Sequence, residues 1–392
     1  MAELIEHGLS ATEQRPDGSH KLDKGAVVIR VRDRWPGDGR RLGPIPKMRM
    51  IETVVVSSTN QATSPKFCIF GAGAIGGTIA AQLAGTNATV SVVARGDTIA
   101  TLRKDGLRLL IDGETLHTPV QATAAPTELG PQDYVIIAVK APSLPEVASR
   151  IGPLLGPETA VVTAMNGIPW WFFTNAKGIL AGKRLTAVDP DGIISRAIPA
   201  SSVIGCVVYM SCTMEAPGII RHGAGRRLIV GEPDNRPGGR VARLAEWLRR
   251  SGFDCVESTD IRRDIWFKLW NNLSTNPISL LTAATLDRII ADPLAHALCI
   301  RMMEEAGRIG EAIGIPATVP IEEMFDRARA LGAIKTSMLQ DAEHGKPVEI
   351  DALLTVTRDL GRMVGVPTPF IDGVLGLARL KATSLGLLDR VS

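Results

Sequence analysis

The 392-residue sequence is poor in aromatic side chains, which make up 4% of it, and in cysteine, of which there are five. Cys68, Cys206, Cys212, Cys255 and Cys299 lie far apart, form no C-x-x-C pair and are odd in number. Neither a disulfide framework nor a zinc site is therefore expected, and a reducing cytoplasm fits. No uninterrupted apolar run approaches the roughly 18 residues that a membrane-spanning helix needs. The first twenty residues carry Glu3, Glu6, Glu13 and Asp17 where a secretory signal would have an apolar core, which argues against export. Charge of one sign is also scarce: 44 Lys+Arg against 41 Asp+Glu leave a formal +3. A body so balanced has no footprint for nucleic acid.

What is present is core-forming material, 45% hydrophobic with 22% charged, enough for two domains or three. Residues 1–65 stand apart. They hold 10 basic and 8 acidic side chains, five prolines and the polar run Ser57-Ser58-Thr59-Asn60-Gln61. They are expected to be a largely unstructured or mis-started extension, with a stray strand over 26–31 and an alternative start at Met48 or Met50. The arginines at 30, 32, 34, 40 and 41 either attract polyanions or are a solvated tail.

From Lys66 short apolar runs alternate with helical stretches, the sequence form of βαβ units and a parallel sheet. Strands are expected at 67–70, 89–93, 134–139, 160–164, 203–209, 227–230 and 254–257, with a hairpin ribbon around Pro217-Gly218. After about residue 260 apolar spacing of three and four takes over, giving helices at 261–273, 293–313, 321–331, 351–364 and 369–385. The fold class is α/β: a Rossmann-type dinucleotide-binding domain over 66–259, followed by an all-helical C-terminal domain over 260–392.

The strongest local signal is Gly71-Ala72-Gly73-Ala74-Ile75-Gly76, which follows an apolar strand and opens a helix. In that context Gly71 permits the tight turn, Gly73 lets backbone approach a pyrophosphate, and Gly76 lets helix and strand pack closely. Helix-terminal N–H groups would then face the phosphate. The second strand ends in Ala94-Arg95-Gly96 where a NAD-preferring fold usually places an acid; Arg95 suits the 2′-phosphate of NADPH, or is a surface arginine. Lys140 and Asn166-Gly167 fall at carboxyl ends of later strands, where ligands sit in open α/β sheets. Lys140 is either a second phosphate contact or a solvated lysine; Asn166 either bridges the nicotinamide-side ribose and substrate or is an ordinary turn residue.

In the helical part, Lys268, Asn272 and Asn276 recur every four residues, placing an ammonium and two amides on one stripe. Reduction of a carbonyl by hydride creates negative charge on oxygen, and a lysine can supply the proton while amides orient the carbonyl. A stripe of this kind is otherwise a solvent-facing one. Pro277 is expected to end or kink that helix. Ser337, in Ser337-Met338-Leu339-Gln340-Asp341, suits a substrate carboxylate, and Glu349, in Glu349-Ile350-Asp351, suits the lysine ammonium and a hydroxyl; alone, each is an ordinary capping or surface residue. His117, His222, His296 and His344 have no context that marks a general base.

Taken in order, these blocks resemble the ketopantoate reductase (2-dehydropantoate 2-reductase) family from about Lys66 to Leu385. The resemblance implies an NADPH-dependent enzyme that reduces 2-dehydropantoate to pantoate in a cleft between the two domains. It implies Lys268 as proton donor and Glu349 beside it. Asn166, Asn272, Asn276 and Ser337 would touch substrate, while the glycine motif, Arg95, Lys140, Asn166 and Glu349 would touch cofactor. The partner is then a small 2-oxo acid, with no membrane, no nucleic acid and no metal; a homodimer stays open. The sequence departs from the pattern at Leu354-Thr355, where many members have Asn-Gly, and at Leu286, where some have another Asn. It also carries Trp170-Trp171-Phe172-Phe173 in a long segment after Asn166, which either lines the pocket for a bulkier 2-oxo acid or anchors the loop. A non-catalytic NADPH-binding regulator is the remaining alternative.

Overall fold

The computed structural model describes residues 64–236 and 238–388 and, ahead of them, the backbone of two antiparallel pairs, Glu13–Gln14 with His20–Lys21 and Val27–Arg32 with Met50–Val55. The second pair includes the strand expected near 26–31. The rest of the expected extension, Met48 included, lies outside the described residues.

From Ser64 onward the chain is one compact unit built on a ten-stranded sheet. Its first strand is β1 (Lys66–Phe70), buried from Phe67 to Phe70, which is what a parallel strand covered on both faces requires. Helix α1 (Ala74–Ala84) leads to β2 (Thr89–Val93), and α2 (Asp97–Asp105) leads to β3 (Leu107–Ile111) and β4 (Glu114–Thr118). Then come β5 (Gln121–Thr123), β6 (Tyr134–Ile137), α3 (Leu144–Arg150) and β7 (Ala160–Ala164). After a long segment containing the short α4 (Ile193–Ala197), the chain forms β8 (Val203–Ala216), β9 (Ile219–Gly231), α5 (Gly239–Arg250) and β10 (Asp254–Glu257).

The strand order is β4-β3-β9-β8-β7-β6-β1-β2-β5, with β10 also beside β9. Strands β5, β2, β1, β6, β7 and β8 are parallel, and β8 and β9 form the antiparallel ribbon expected at Pro217-Gly218. The ribbon strands are longer than 203–209 and 227–230, because β9 has work at both ends. Its start pairs with β3 and its end with β10. The order reverses at β1, with β2 on one side and β6 on the other, so the ligand crevice of such a sheet opens between β1 and β6.

Seven helices follow: α6 (Ile261–Thr282), α7 (Leu286–Ala291), α8 (Pro293–Ala312), α9 (Ile321–Arg329), α10 (Ser337–Glu343), α11 (Val356–Val364) and α12 (Pro369–Ser384), with a π turn over Asp351–Thr355 leading into α11. Pro277 does not end α6, which runs on to Thr282. Proline removes one N–H from the ladder, but α6 is buried along this stretch and packs against α8, α10 and α12, so tertiary contacts hold the turn. The sheet face opposite α1 and α5 shares one apolar core with these helices. The carboxyl edge of the sheet is thereby brought against α6 and the 348–352 segment.

Candidate active site

Gly71 closes β1 with φ +108°, a conformation L side chains rarely adopt, and a Cβ there would lie 2.7 Å from Val139 Cγ1. A Cβ on Gly76 would lie 2.0 Å from the Gly71 carbonyl oxygen, so the first turn of α1 can sit on the loop only if this residue is glycine. At Gly73, by contrast, a Cβ would meet nothing nearer than 3.9 Å. Gly73 is the N-cap of α1 and offers no side-chain acceptor to the helix. The unmet N–H groups of that first turn and the open space before Gly73 together form a cradle suited to a pyrophosphate. The residues present therefore fit a dinucleotide.

Across the crevice, the ammonium of Lys268 on α6 is buried. It donates to Asn166 Oδ1 at 2.8 Å and to the Val208 carbonyl of β8 at 2.5 Å. Its third N–H has no hydrogen-bond partner among the described residues, and the ring of Tyr209 lies 5.6 Å from Nζ. Burial pushes the Lys268 ammonium down from its ordinary value to about 8. Asn166 is fixed at its other end too, its Nδ2 donating to Glu349 Oε2 at 3.4 Å. Glu349 is buried and accepts from the Ala141 backbone N–H at 3.2 Å.

Gly167 explains the Asn-Gly pair. Its φ is +82°, a Cβ would meet the Ala352 carbonyl oxygen at 2.4 Å, and Ile168 N–H donates to that same oxygen. The loop after β7 is thus locked to the 349–352 segment, and Asn166 with it.

Lys140 follows β6, and its side chain, about one-third exposed, faces two carboxylates. Its Nζ pairs with Asp341 Oδ2 of α10 at 2.6 Å and with Glu349 Oε2 at 3.6 Å. Burial alone would lower its pKa, but the two carboxylates outweigh it and the net direction is upward. Asp341 and Tyr209 are the members of this constellation that the sequence did not single out as site residues. The one available signal was the carboxylate in the Ser337–Asp341 run.

The other candidates are grouped less tightly. Asn272 and Asn276 lie one and two turns beyond Lys268 on α6, Asn276 being buried. Ser337 is exposed at the start of α10, which packs on α6; the cap of α10 is supplied by Thr336, whose Oγ1 accepts from Leu339 N–H. Among the described residues no hydrogen bond ties Ser337 to the Lys268 network. Arg95 is at the far rim, after β2, and is paired with Glu146 of α3.

The aromatic run divides between its two readings. Trp171, Phe172 and Phe173 are at most 2% exposed and belong to the core; Trp171 packs so closely on β8 that a Cβ on Gly205 would meet its Cη2 at 2.8 Å. Trp170, held by its Nε1 donating to Ile198 O at 3.3 Å, lines a cavity of about 440 Å³ that also touches Asn166 and Glu349.

Comparison with known proteins fits this geometry. The family model "Ketopantoate reductase PanE/ApbA" matches residues 67–235, and its C-terminal counterpart matches residues 260–382. A 2-dehydropantoate 2-reductase of Mesorhizobium japonicum is 49% identical over 322 residues, covering 82% of this chain and 99% of the relative. A crystal structure from Ralstonia solanacearum is 52% identical with a TM-score of 0.80, covering 83% of this chain and 99% of the other. A 2-dehydropantoate 2-reductase from Geobacter metallireducens, 27% identical, has a TM-score of 0.71 over 80% of this chain and 99% of its own.

Proposed function

Since this chain belongs to the ketopantoate reductase family, we propose that it is an oxidoreductase that reduces 2-dehydropantoate to pantoate with NADPH, Lys268 giving the proton. The observation that carries this reading is the network of Lys268, Asn166 and Glu349 at the carboxyl edge of the sheet. In this reading residues 66–259 hold the cofactor and residues 260–392 complete the substrate site.

The nicotinamide, when bound, supplies hydride to the keto carbon. The chain's own residues handle the rest. Two N–H groups of Lys268 are committed to Asn166 and Val208, so the ammonium is held still with its third N–H left for the substrate oxygen. As charge grows on that oxygen the ammonium stabilises it and then transfers a proton, leaving alcohol and neutral amine. An ammonium already loosened by burial to about 8 gives up that proton more readily than an exposed lysine. Asn166 is oriented from both ends. Glu349 faces both the Asn166 amide and the Lys140 ammonium, and a ribose or substrate hydroxyl is the natural third partner. Asn272, Asn276 and Ser337 are assigned to the substrate's carboxylate and hydroxyl.

The preference for NADPH rests on Arg95 at the end of β2, where the guanidinium is about two-thirds exposed and able to turn from Glu146 to a 2′-phosphate. The test is incubation of the purified protein with NADPH or NADH and a panel of 2-oxo acids that includes 2-dehydropantoate, following absorbance of the reduced nicotinamide. Oxidation with 2-dehydropantoate, faster with NADPH, is expected. Binding of NADPH without oxidation by any acid would favour a regulator instead.

A further inference from the structure

The buried Lys268 ammonium rests on two neutral acceptors, Asn166 Oδ1 and the Val208 carbonyl. Glu349 is the carboxylate that faces it, but the oxygens of that group are taken up by Asn166, Ala141 and Lys140. A cation held away from water by neutral dipoles alone loses its proton easily, so a further source of negative potential beside Nζ decides how long it stays charged. Tyr209 supplies one. The ammonium lies over its ring, 5.6 Å from the centroid, inside the roughly 6 Å over which the negative face of an aromatic ring attracts a cation.

The ribbon is built to put the ring there. Pairing of β7 with β8 stops at Cys206, which leaves that edge of β8 open to α6 from Val208 onward. On the other edge β8 stays in step with β9 down to Tyr209 and Arg227, and then slips, so that Ser211 stands opposite Ala224. The extra residue of β9 falls at Gly225, whose φ of +74° L side chains rarely adopt; a Cβ there would lie 2.5 Å from the Tyr209 carbonyl oxygen. A ring nitrogen of His222 is bonded to the Gly225 carbonyl oxygen at 2.6 Å. A bulge of this kind re-aims the neighbouring side chain, and this one is packed on the backbone of Tyr209 itself. The ring is 41% exposed, whereas the ammonium behind it is buried. Among the described residues the Tyr209 hydroxyl makes no hydrogen bond.

We infer that Tyr209 is a positioning residue for the proton donor: the π face of its ring holds Lys268 in the charged form at the edge of the crevice, and its hydroxyl takes no part. The inference rests on the reductase reading for its kinetic consequence alone, since the meeting of ring and ammonium stands on geometry. Charged and titratable groups face the pair from each element packed on it. Lys268 faces Glu349 of the 348–352 segment, Lys140 after β6 and Cys206 of β8. Tyr209 faces Asp264 of α6, Arg227 of β9 and Arg327 of α9. Burial pushes the Cys206 thiol up to about 12 and the Tyr209 hydroxyl above its ordinary value, so a break near 8 belongs to neither.

The experiment uses the full chain with Tyr209→Phe, with Tyr209→Leu, and with a ring-fluorinated phenylalanine placed at position 209. Each protein gives two midpoints. One is the alkaline break in kcat/KM for reduction of 2-dehydropantoate by NADPH; the other is the pH at which Lys268 becomes open to acetylation in the ligand-free protein, read by peptide mass spectrometry. Phenylalanine keeps the π face and should hold both midpoints near the wild-type value of about 8. Leucine removes the face, and since the ring favours the ammonium, both midpoints should move down, by about 0.4–1.5 pH units. Fluorination keeps the shape of phenylalanine and drains the negative face, so it should move them in the same direction by less. Midpoints unmoved by leucine and by fluorination would overturn the assignment. Equal shifts in Tyr209→Phe and Tyr209→Leu would also overturn it, by giving the effect to the hydroxyl. Should Tyr209→Leu fail to fold, the fluorinated protein measured against Tyr209→Phe decides alone. A wild type that reduces no 2-oxo acid would sink the reductase reading, and the acetylation midpoints would still decide whether the ring holds the ammonium.

Discussion

The ammonium of Lys268 and the side-chain oxygen of Asn166 are 102 residues apart in sequence and 2.8 Å apart in space. This contact joins α6 to the end of β7. Asn166→Ala removes the acceptor that steers the ammonium and the donor that meets Glu349. Hydrogen bonds to charged groups contribute about 1.5–3 kcal/mol, so kcat should drop by about tenfold to a hundredfold. Steady-state kinetics on the variant would check this, and unchanged kcat would mean that Val208 alone positions Lys268.

Lys268 must be protonated to act as an acid, and burial places its pKa at about 8. In the reducing direction kcat/KM should be level below that pH and fall as pH rises through it. In the direction of alcohol oxidation the neutral amine is the active form, and the profile should rise through the same pH. The sign for stability is the reverse of the usual lysine case. An unfolded lysine titrates near 10.4, so above about 8 the unfolded chain binds more protons and this group's contribution to stability increases with pH. A reduction profile with no break in the alkaline range would contradict the assignment.

Lys140 neutralises two carboxylates at once, Asp341 and Glu349. Lys140→Ala leaves them facing each other across a partly buried gap, and burial already pushes the Asp341 carboxyl up. Breaking a fully buried pair costs about 3–5 kcal/mol, and exposed pairs are worth under about 1. With Lys140 about one-third exposed, a loss of about 1–3 kcal/mol is expected in urea unfolding near neutral pH, shrinking as pH falls and the carboxylates protonate. Lys140→Met should behave like the alanine variant, since the charge, not the stem, is the cause.

Glu146 holds Arg95 and also pairs with Arg150 at 2.8 Å. A carboxylate at this place opposes a 2′-phosphate. Glu146→Gln should therefore tighten NADPH more than NADH, and Arg95→Asp should weaken NADPH selectively by removing a guanidinium–phosphate contact and adding like charge. Dissociation constants for both cofactors in both variants decide the matter. Equal changes for NADPH and NADH would remove Arg95 from the 2′-position.

The sequence disclosed most of the parallel strands because strands buried on both faces read as unbroken apolar runs, as in Phe67–Phe70 and Val135–Ile137. It disclosed less at the edge. Strands β3 and β4 carry partly exposed residues and mixed composition, although Asp112-Gly113 between them, with φ of +53° and +81°, is a hairpin signal that was there to be read. Pro277 does not end α6, because burial on several sides overrides the break that intrinsic propensity predicts. In the site, spacing alone put Lys268 on one stripe with two asparagines. No spacing could reveal that Asn166, Glu349 and the Val208 carbonyl converge on it, since each arrives from a different element. The partnership of Lys140 with Asp341 was hidden for the same reason. Tyr209 was read as a strand residue, which it is, and only the packing of α6 on β8 brings its ring beside the ammonium.

The most direct test of the account is the turnover of Lys268→Ala with NADPH and 2-dehydropantoate, measured beside its NADPH affinity. Loss of a general acid costs about 10²–10⁴ in rate, so kcat should fall by that factor while the NADPH Kd stays as in the wild type, because the nucleotide cradle at Gly71–Gly76 is on the other side of the crevice. Wild-type turnover in the alanine variant would mean that the proton comes from another group and that the Lys268–Asn166 contact serves the fold alone.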